Sequence, residues 1–234
     1  MLHLRNEPNI DELLASAKAA ERAGLVAQAV RRYRAAFALI ARKQANYPAE
    51  TFARLPIMLN DAGLKNEAWY EFCELLVKGC PGRNTSEHAA VWNDRAALFD
   101  KMRSFLQHEN EHINAVICGV LFFVARVIAC QHQPERCHPK ALRSIKTARG
   151  LLLPLLRRAG KADALPWIAS ELQTLVRAAP PDMIEQTTRV LSSALRSGND
   201  HDQPHQGRYP LPSLHYFRAE IPITALQAIT PAAT

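Results

Sequence analysis

The feature that most constrains the fold is a helical pattern that recurs between residues 10 and 130. Apolar residues spaced three and four apart predict amphipathic helices, which occur in pairs separated by a residue that tolerates a left-handed backbone. The turn residues are Gly24, Gly63 and Asn110, at intervals of 39 and 47 residues. Helix–turn–helix units of this size are typical of a helical solenoid, because each unit buries its apolar face against the next.

Composition also favours helix over strand. Ala, Leu and Arg are frequent, whereas glycine supplies only 9 of the 234 residues. We therefore predict an all-α protein whose antiparallel helical hairpins stack as a short solenoid. The predicted elements are hairpins at about 10–43, 50–78, 88–130 and 140–178 and a capping helix at 183–195. They form one domain, 1–196, and the Pro- and His-containing segment 197–234 is expected to be a flexible tail.

Matching positions in the first two hairpins resemble the tetratricopeptide repeat. The first hairpin has Gly24, Ala29, Tyr33 and Ala36, and the second has Gly63, Ala68, Phe72 and Leu75 at the same spacing. In that family the glycine permits the turn, the small residue lets the two helices approach, and the aromatic residue fills the gap between them. The third copy departs from the pattern, with Asn110 in place of the glycine and Gly119 at the aromatic position.

The resemblance implies a ligand-binding surface. In tetratricopeptide arrays the first helices of successive hairpins line a concave groove that holds a peptide. The corresponding residues here are Lys18, Arg54, Asn60, Lys101 and Gln107. Three cations from three hairpins favour an acidic segment or a chain terminus as the ligand. The family's carboxylate clamp is not implied, because Leu14 and Ala97 occupy the positions of its lysines.

These observations predict an adaptor or regulatory protein that binds a protein or peptide through a basic concave face, without a cofactor and without catalysis. No Gly-rich phosphate loop and no Ser/His/Asp arrangement points to an enzyme. Nucleic acid is the alternative partner, because the net charge is +7. The stripe that would contact it consists of Lys140, Arg143, Lys146 and Arg149, spaced every three residues along a predicted helix.

Residues 108–112 match the HExxH motif of zinc hydrolases, in which both imidazoles bind the metal from one helical face. The repeat register instead places Asn110 in a turn, so that His108 and His112 lie on different helices. We therefore interpret the match as coincidental.

A second set of potential zinc ligands follows, consisting of Cys130, His132, Cys137 and His138. Their spacing matches no standard zinc knuckle, and two of them are adjacent. We interpret them as part of a loop between two helices, without a metal.

The sequence favours a cytoplasmic protein that does not enter a membrane. Its five cysteines lack the spacing of a disulfide framework, and residues 1–8 lack the apolar run of a secretory signal. The longest apolar stretch, 115–130, has 16 residues and contains Arg126, which predicts a buried helix and not a transmembrane one.

Overall fold

The computed structural model describes residues 9–84, 86–132, 153–164, 166, 170 and 208–212, except for the side chains of 127 and 130–132. The chain divides into two compact units, Met1–Asn84 and Thr85–Thr234. The division falls in the Gly- and Pro-containing loop at 79–86. Regular structure within the described residues is helical throughout, which confirms the predicted all-α class.

Unit 1, Met1–Asn84, contains two antiparallel helical hairpins. Its helices are α1 (Ile10–Arg22), α2 (Val26–Lys43), α3 (Ala49–Asp61) and α4 (Lys65–Lys78). α1 packs on α2, α3 packs on α4, and α2 also contacts α3. The second hairpin therefore stacks against the first, and both lie where the sequence predicts them.

Unit 2, Thr85–Thr234, contains a third hairpin formed by α5 (His88–His108) and α6 (His112–His132). It coincides with the predicted hairpin at 88–130. In the part of the chain that the structure describes, no helix combines the length and apolar character needed to cross a bilayer.

Two predicted elements remain predictions. The hairpin at 140–178 is described only at 153–164, 166 and 170, where a helical segment at 153–158 precedes a short 3₁₀ turn. The capping helix at 183–195 lies outside the described residues. The grouping of all hairpins into one domain, 1–196, is likewise not tested.

One type of turn recurs along the chain. At four of these turns the residue with positive φ is Gly24 (70°), Gly63 (79°), Asn110 (61°) or Gly160 (65°). In each case the next residue donates its backbone N–H to the carbonyl five positions back, at 2.9 Å for Leu25, Leu64 and Glu111 and at 2.8 Å for Lys161. This is the Schellman arrangement, in which a left-handed residue satisfies the last carbonyls of a helix. Asn110 adopts it without being glycine because asparagine tolerates the left-handed region better than most residues.

Small and aromatic residues occupy the interior positions that the repeat pattern predicts. Ala29, Ala68 and Ala115 have no exposed surface, and each lies five residues after its turn residue. Tyr33 and Phe72 are also buried, at 0% and 1% exposure. The alanines let the paired helices approach, and the rings fill the space beside them, so this part of the prediction is confirmed.

Contacts across the helices of unit 1 hold its two hairpins together. The rings of Phe37 on α2 and Phe52 on α3 have centroids 5.1 Å apart. Arg34 on α2 pairs with Glu71 on α4 at 2.5 Å. This ion pair is largely exposed on the arginine side and adds at most about 1 kcal/mol, so aromatic packing supplies more of the stability.

The loop after α4 folds back onto the connection between α2 and α3. Gly82 has φ +74°, and a Cβ at this position would lie 2.7 Å from the carbonyl oxygen of Ala45 and 2.9 Å from that of Ile40. Only a glycine fits so close to two backbone oxygens. The next residue, Arg83, hydrogen-bonds to the Asn46 side chain and donates from Nη2 to the Tyr47 carbonyl at 3.2 Å. The loop thereby fixes the α2–α3 connection.

Residues 208–212 are the part of the predicted tail, 197–234, that the structure describes, and the flexibility of the tail as a whole stays a prediction. Tyr209 is only 1% exposed and packs against the turn between α5 and α6. This stretch is ordered because the buried ring and the hydrogen bonds that Arg208 and Tyr209 make with the α5–α6 turn offset the entropy lost by the chain. The rest of the predicted tail lies outside the described residues.

Candidate functional site

A groove with a volume of about 720 Å³ lies on unit 1 between α1 and α3. α1 contributes one face, including Asp11, Leu14 and Lys18, because residues three and four apart share a side of a helix. α3 contributes Glu50 and Arg54 on the facing side. The groove is therefore lined mainly by the first helices of two successive hairpins.

Three helices meet through hydrogen bonds at one end of the groove. Glu21 of α1 accepts from the Tyr33 hydroxyl of α2 at 2.7 Å and from Nε of Arg54 of α3 at 3.1 Å. Nη2 of Arg54 bonds to the other oxygen of the carboxylate. These three residues, which we call the triad, tie the second hairpin to the first.

The triad changes the titration of its members. Burial disfavours the charged form of Glu21, but hydrogen bonds from Arg54 and Tyr33 outweigh it and lower the pKa of Glu21. Burial and the hydrogen bond to Glu21 raise the pKa of Tyr33 to about 12. The hydrogen bond to Glu21 raises the pKa of Arg54. At neutral pH the triad is therefore one ion pair plus a neutral tyrosine.

The other end of the groove is anchored by Tyr47 from the α2–α3 connection. Its hydroxyl donates to the Asp11 carboxylate at 2.7 Å. This bond raises the pKa of Tyr47, so the hydroxyl stays protonated as a donor. Since the loop around Gly82 holds the Tyr47 backbone, the packing of that loop also positions this wall of the groove.

Charge is distributed unevenly along the groove. Its lining contains three carboxylates (Asp11, Glu21 and Glu50) and three cations (Lys18, Arg22 and Arg54). Asp11 and Glu50 lie in the first turns of α1 and α3, whereas Lys18 lies about 10 Å further along α1, at 1.5 Å of rise per residue. Glu21 lies at the basic end, where Arg54 neutralises it. The groove thus runs from an acidic end to a basic end, and its formal charges balance.

The structure places the predicted groove residues in different surroundings. Lys18 and Arg54 both line the groove, and Arg54 is ion-paired with Glu21. Asn60, at the end of α3, is not part of the groove lining, and its backbone carbonyl accepts from Gly63 at 2.9 Å. Lys101 and Gln107 belong to α5 of unit 2. The Gln107 side chain accepts from Arg103 at 2.6 Å. That these five residues share one surface stays a prediction.

Sequence reasoning did not identify Glu21, Tyr47 or Asp11 as groove residues. Tyr33 was predicted only as a space-filling ring. A signal for its partner was present, since a buried tyrosine hydroxyl usually finds a hydrogen-bond acceptor and Glu21 lies one turn before Gly24. The contacts of Tyr47 depend on how the connection folds, which periodicity does not reveal.

The HExxH match is divided between two helices. His108 is the last residue of α5, and its ring Nδ1 lies 2.7 Å from the Ser104 carbonyl oxygen. His112 is the first residue of α6, and Asn110 between them has φ 61°. The prediction of a turn is therefore confirmed, and the two imidazoles are not presented by one helical face as the zinc motif requires.

The remaining metal and nucleic-acid candidates are not tested. Cys130 and His132 lie in α6, but their side chains are outside the described part of the chain. Cys137, His138 and the stripe at 140–149 are outside it altogether. Among the described side chains, no group of three or more His, Cys, Asp or Glu is placed to hold a metal ion.

Comparison with known proteins gave no match among protein-family models, curated proteins or solved structures.

Proposed function

We propose that the chain is an adaptor or regulatory protein that binds a segment of a partner protein in the groove between α1 and α3. The observation that supports this proposal is the position of the groove, which is lined by the first helices of two stacked hairpins. A tetratricopeptide-like array would use this same surface. Along α1 the lining extends from Asp11 to Arg22, about 16 Å, which accommodates roughly five residues of an extended peptide.

The distribution of charge orients the peptide. An acidic side chain or carboxyl terminus pairs with Lys18 and Arg22, whereas a basic side chain or amino terminus lies near Asp11 and Glu50. The triad leaves Arg54 less available than Lys18, because its Nε and Nη2 are already bonded to Glu21. The expected ligand is therefore acidic at one end only.

The test compares two charge reversals of equal size. Lys18→Glu reverses an exposed cation inside the groove, and Arg31→Glu reverses an exposed cation on α2 that does not line it. Both tagged variants and the original chain are used to capture partners from the native host. We expect Lys18→Glu to lose a partner that the original chain and Arg31→Glu retain.

Two further measurements make the result interpretable. Far-UV circular dichroism establishes that both variants keep their helices. Short synthetic peptides that cover the sequence of a captured partner are then tested for binding at several salt concentrations. Binding through the exposed charges of the groove should weaken as salt increases, because salt screens such charges. Equal capture by the original chain and by Lys18→Glu would exclude this groove as the binding surface.

A further inference from the structure

In unit 2, the turn between α5 and α6 contacts a segment that lies far away in the sequence. Arg208 and Tyr209, which begin the described stretch 208–212 (Arg-Tyr-Pro-Leu-Pro), contact this turn. The Tyr209 ring stacks edge-on against Phe105, with centroids 5.0 Å apart, and its hydroxyl donates to Glu109 at 3.3 Å. One aromatic side chain is thus enclosed almost completely, with a carboxylate at its polar tip.

The turn also binds the backbone of the segment. The buried amide of Asn114 donates from Nδ2 to the Tyr209 carbonyl at 3.2 Å. The backbone N–H of Arg208 donates to the Glu111 carboxylate at 2.9 Å. Main-chain hydrogen bonds combined with a side-chain pocket are elements by which proteins recognise peptides. Contacts of this kind do not depend on the segment being part of the same chain.

The sequence of the segment suits this mode of recognition. Pro210 disfavours the helical region for the backbone of Tyr209, so less conformational entropy is lost on docking. The guanidinium of Arg208 lies 5.4 Å from the centre of the Tyr209 ring and adds a cation–π contact. Glu109 and Glu111 give the site a negative charge, which favours a basic residue before the tyrosine and disfavours an acidic one.

We propose that the α5–α6 turn is a binding site for short peptides containing a basic residue, tyrosine and proline in that order, and that residues 208–212 occupy it as a tethered ligand. This site is independent of the groove on unit 1. A segment of the same chain competes for the site as an intramolecular ligand, at an effective concentration set by the chain that joins the two. A free peptide therefore binds poorly while the tethered ligand is docked.

The experiment uses full-length chains and a fluorescein-labelled peptide with the sequence of residues 205–213. Fluorescence anisotropy measures its binding to the original chain and to Tyr209→Ala, in which the tethered ligand lacks its anchoring ring. We expect Tyr209→Ala to bind the peptide at least about tenfold more tightly, because the site is vacated. Equal affinity for the two chains would overturn the proposal.

Two controls locate the binding. The same peptide with alanine in place of tyrosine is expected not to bind Tyr209→Ala. Adding Asn114→Leu to Tyr209→Ala removes the donor to the peptide carbonyl and is expected to abolish binding. Binding that survives either change does not occur at this site and counts against the proposal.

Folding of the variants is itself informative. Tyr209→Glu ejects the segment by repulsion from Glu109 and Glu111, and it serves as a second vacated chain. We expect circular dichroism to show helical content close to that of the original chain for both Tyr209 variants. If both variants unfold, residues 208–212 are part of the core and not an exchangeable ligand, and the proposal is refuted.

Discussion

Replacing Gly82 with alanine tests the packing that holds one end of the groove. Gly82 has φ +74°, which costs a non-glycine residue about 1–2 kcal/mol. The new Cβ also meets the carbonyl oxygens of Ala45 and Ile40 at 2.7 and 2.9 Å. Both clashing atoms belong to the backbone, so the loop must move to relieve the steric clash. We expect this overpacking to cost a further 1–3 kcal/mol, roughly.

A matched variant separates the two contributions. Gly24→Ala has nearly the same φ, +70°, but its Cβ would have no atom within 4 Å. We expect Gly24→Ala to lower the free energy of unfolding only by the cost of placing a non-glycine residue in the left-handed region, about 1–2 kcal/mol. The free energy of unfolding of both variants is measured by urea titration followed by circular dichroism, with the slope checked for constancy. Equal losses for Gly82→Ala and Gly24→Ala would show that the loop does not approach the α2–α3 connection as described.

Three further predictions concern the triad, the third turn and the core. Because the pKa of Glu21 is lower in the folded chain than in the unfolded chain, its carboxylate stabilises the fold at pH values above the unfolded pKa, and this stability is lost as the pH falls through the folded pKa. The free energy of unfolding of Glu21→Gln should therefore fall less on acidification than that of the original chain, with the exposed Glu12→Gln as control. The same pH dependence of the free energy of unfolding for Glu21→Gln and the original chain would contradict this. Asn110→Ala should lower the free energy of unfolding, measured in urea, by about 1 kcal/mol, whereas Asn110→Gly should not lower it. An alanine variant more stable than the original chain would instead indicate a continuous helix through 108–112. Ala29→Leu should lower the free energy of unfolding by about 1–3 kcal/mol, while Ala27→Leu, exposed on the same helix, should change it little; similar values for the two would exclude close helix packing at Ala29.

The hairpins could be predicted from the sequence because their signals are local. Apolar spacing and a turn residue such as Gly63 mark where a helix begins and ends, and the buried alanines follow at a fixed interval. Asn110 was recognised as a turn for the same reason, which separated His108 from His112. Local patterns of this kind hold because each helix forms its hydrogen bonds within itself.

The balance of charge in the groove could not be predicted in the same way. Position within the repeat pointed to Lys18 and Arg54, which both line the groove, but the pairing of Arg54 with Glu21 joins side chains 33 residues apart. No periodicity in the sequence indicated that Tyr209 contacts Glu109 and Asn114 either. Glu109 lies 100 positions before Tyr209 in the chain. Such contacts depend on tertiary structure, in which a single side chain leaves no repeating signal.

The backward path of the loop after α4 determines where a shortened chain can end. A fragment that stops with α4 at Lys78 discards Gly82 and Arg83, and with them the contacts that brace the Tyr47 backbone. A fragment that continues to Asn84 retains them, although the six added residues contain no helix. Boundaries chosen from helix ends alone would therefore give a fragment with both hairpins and a loosened groove wall.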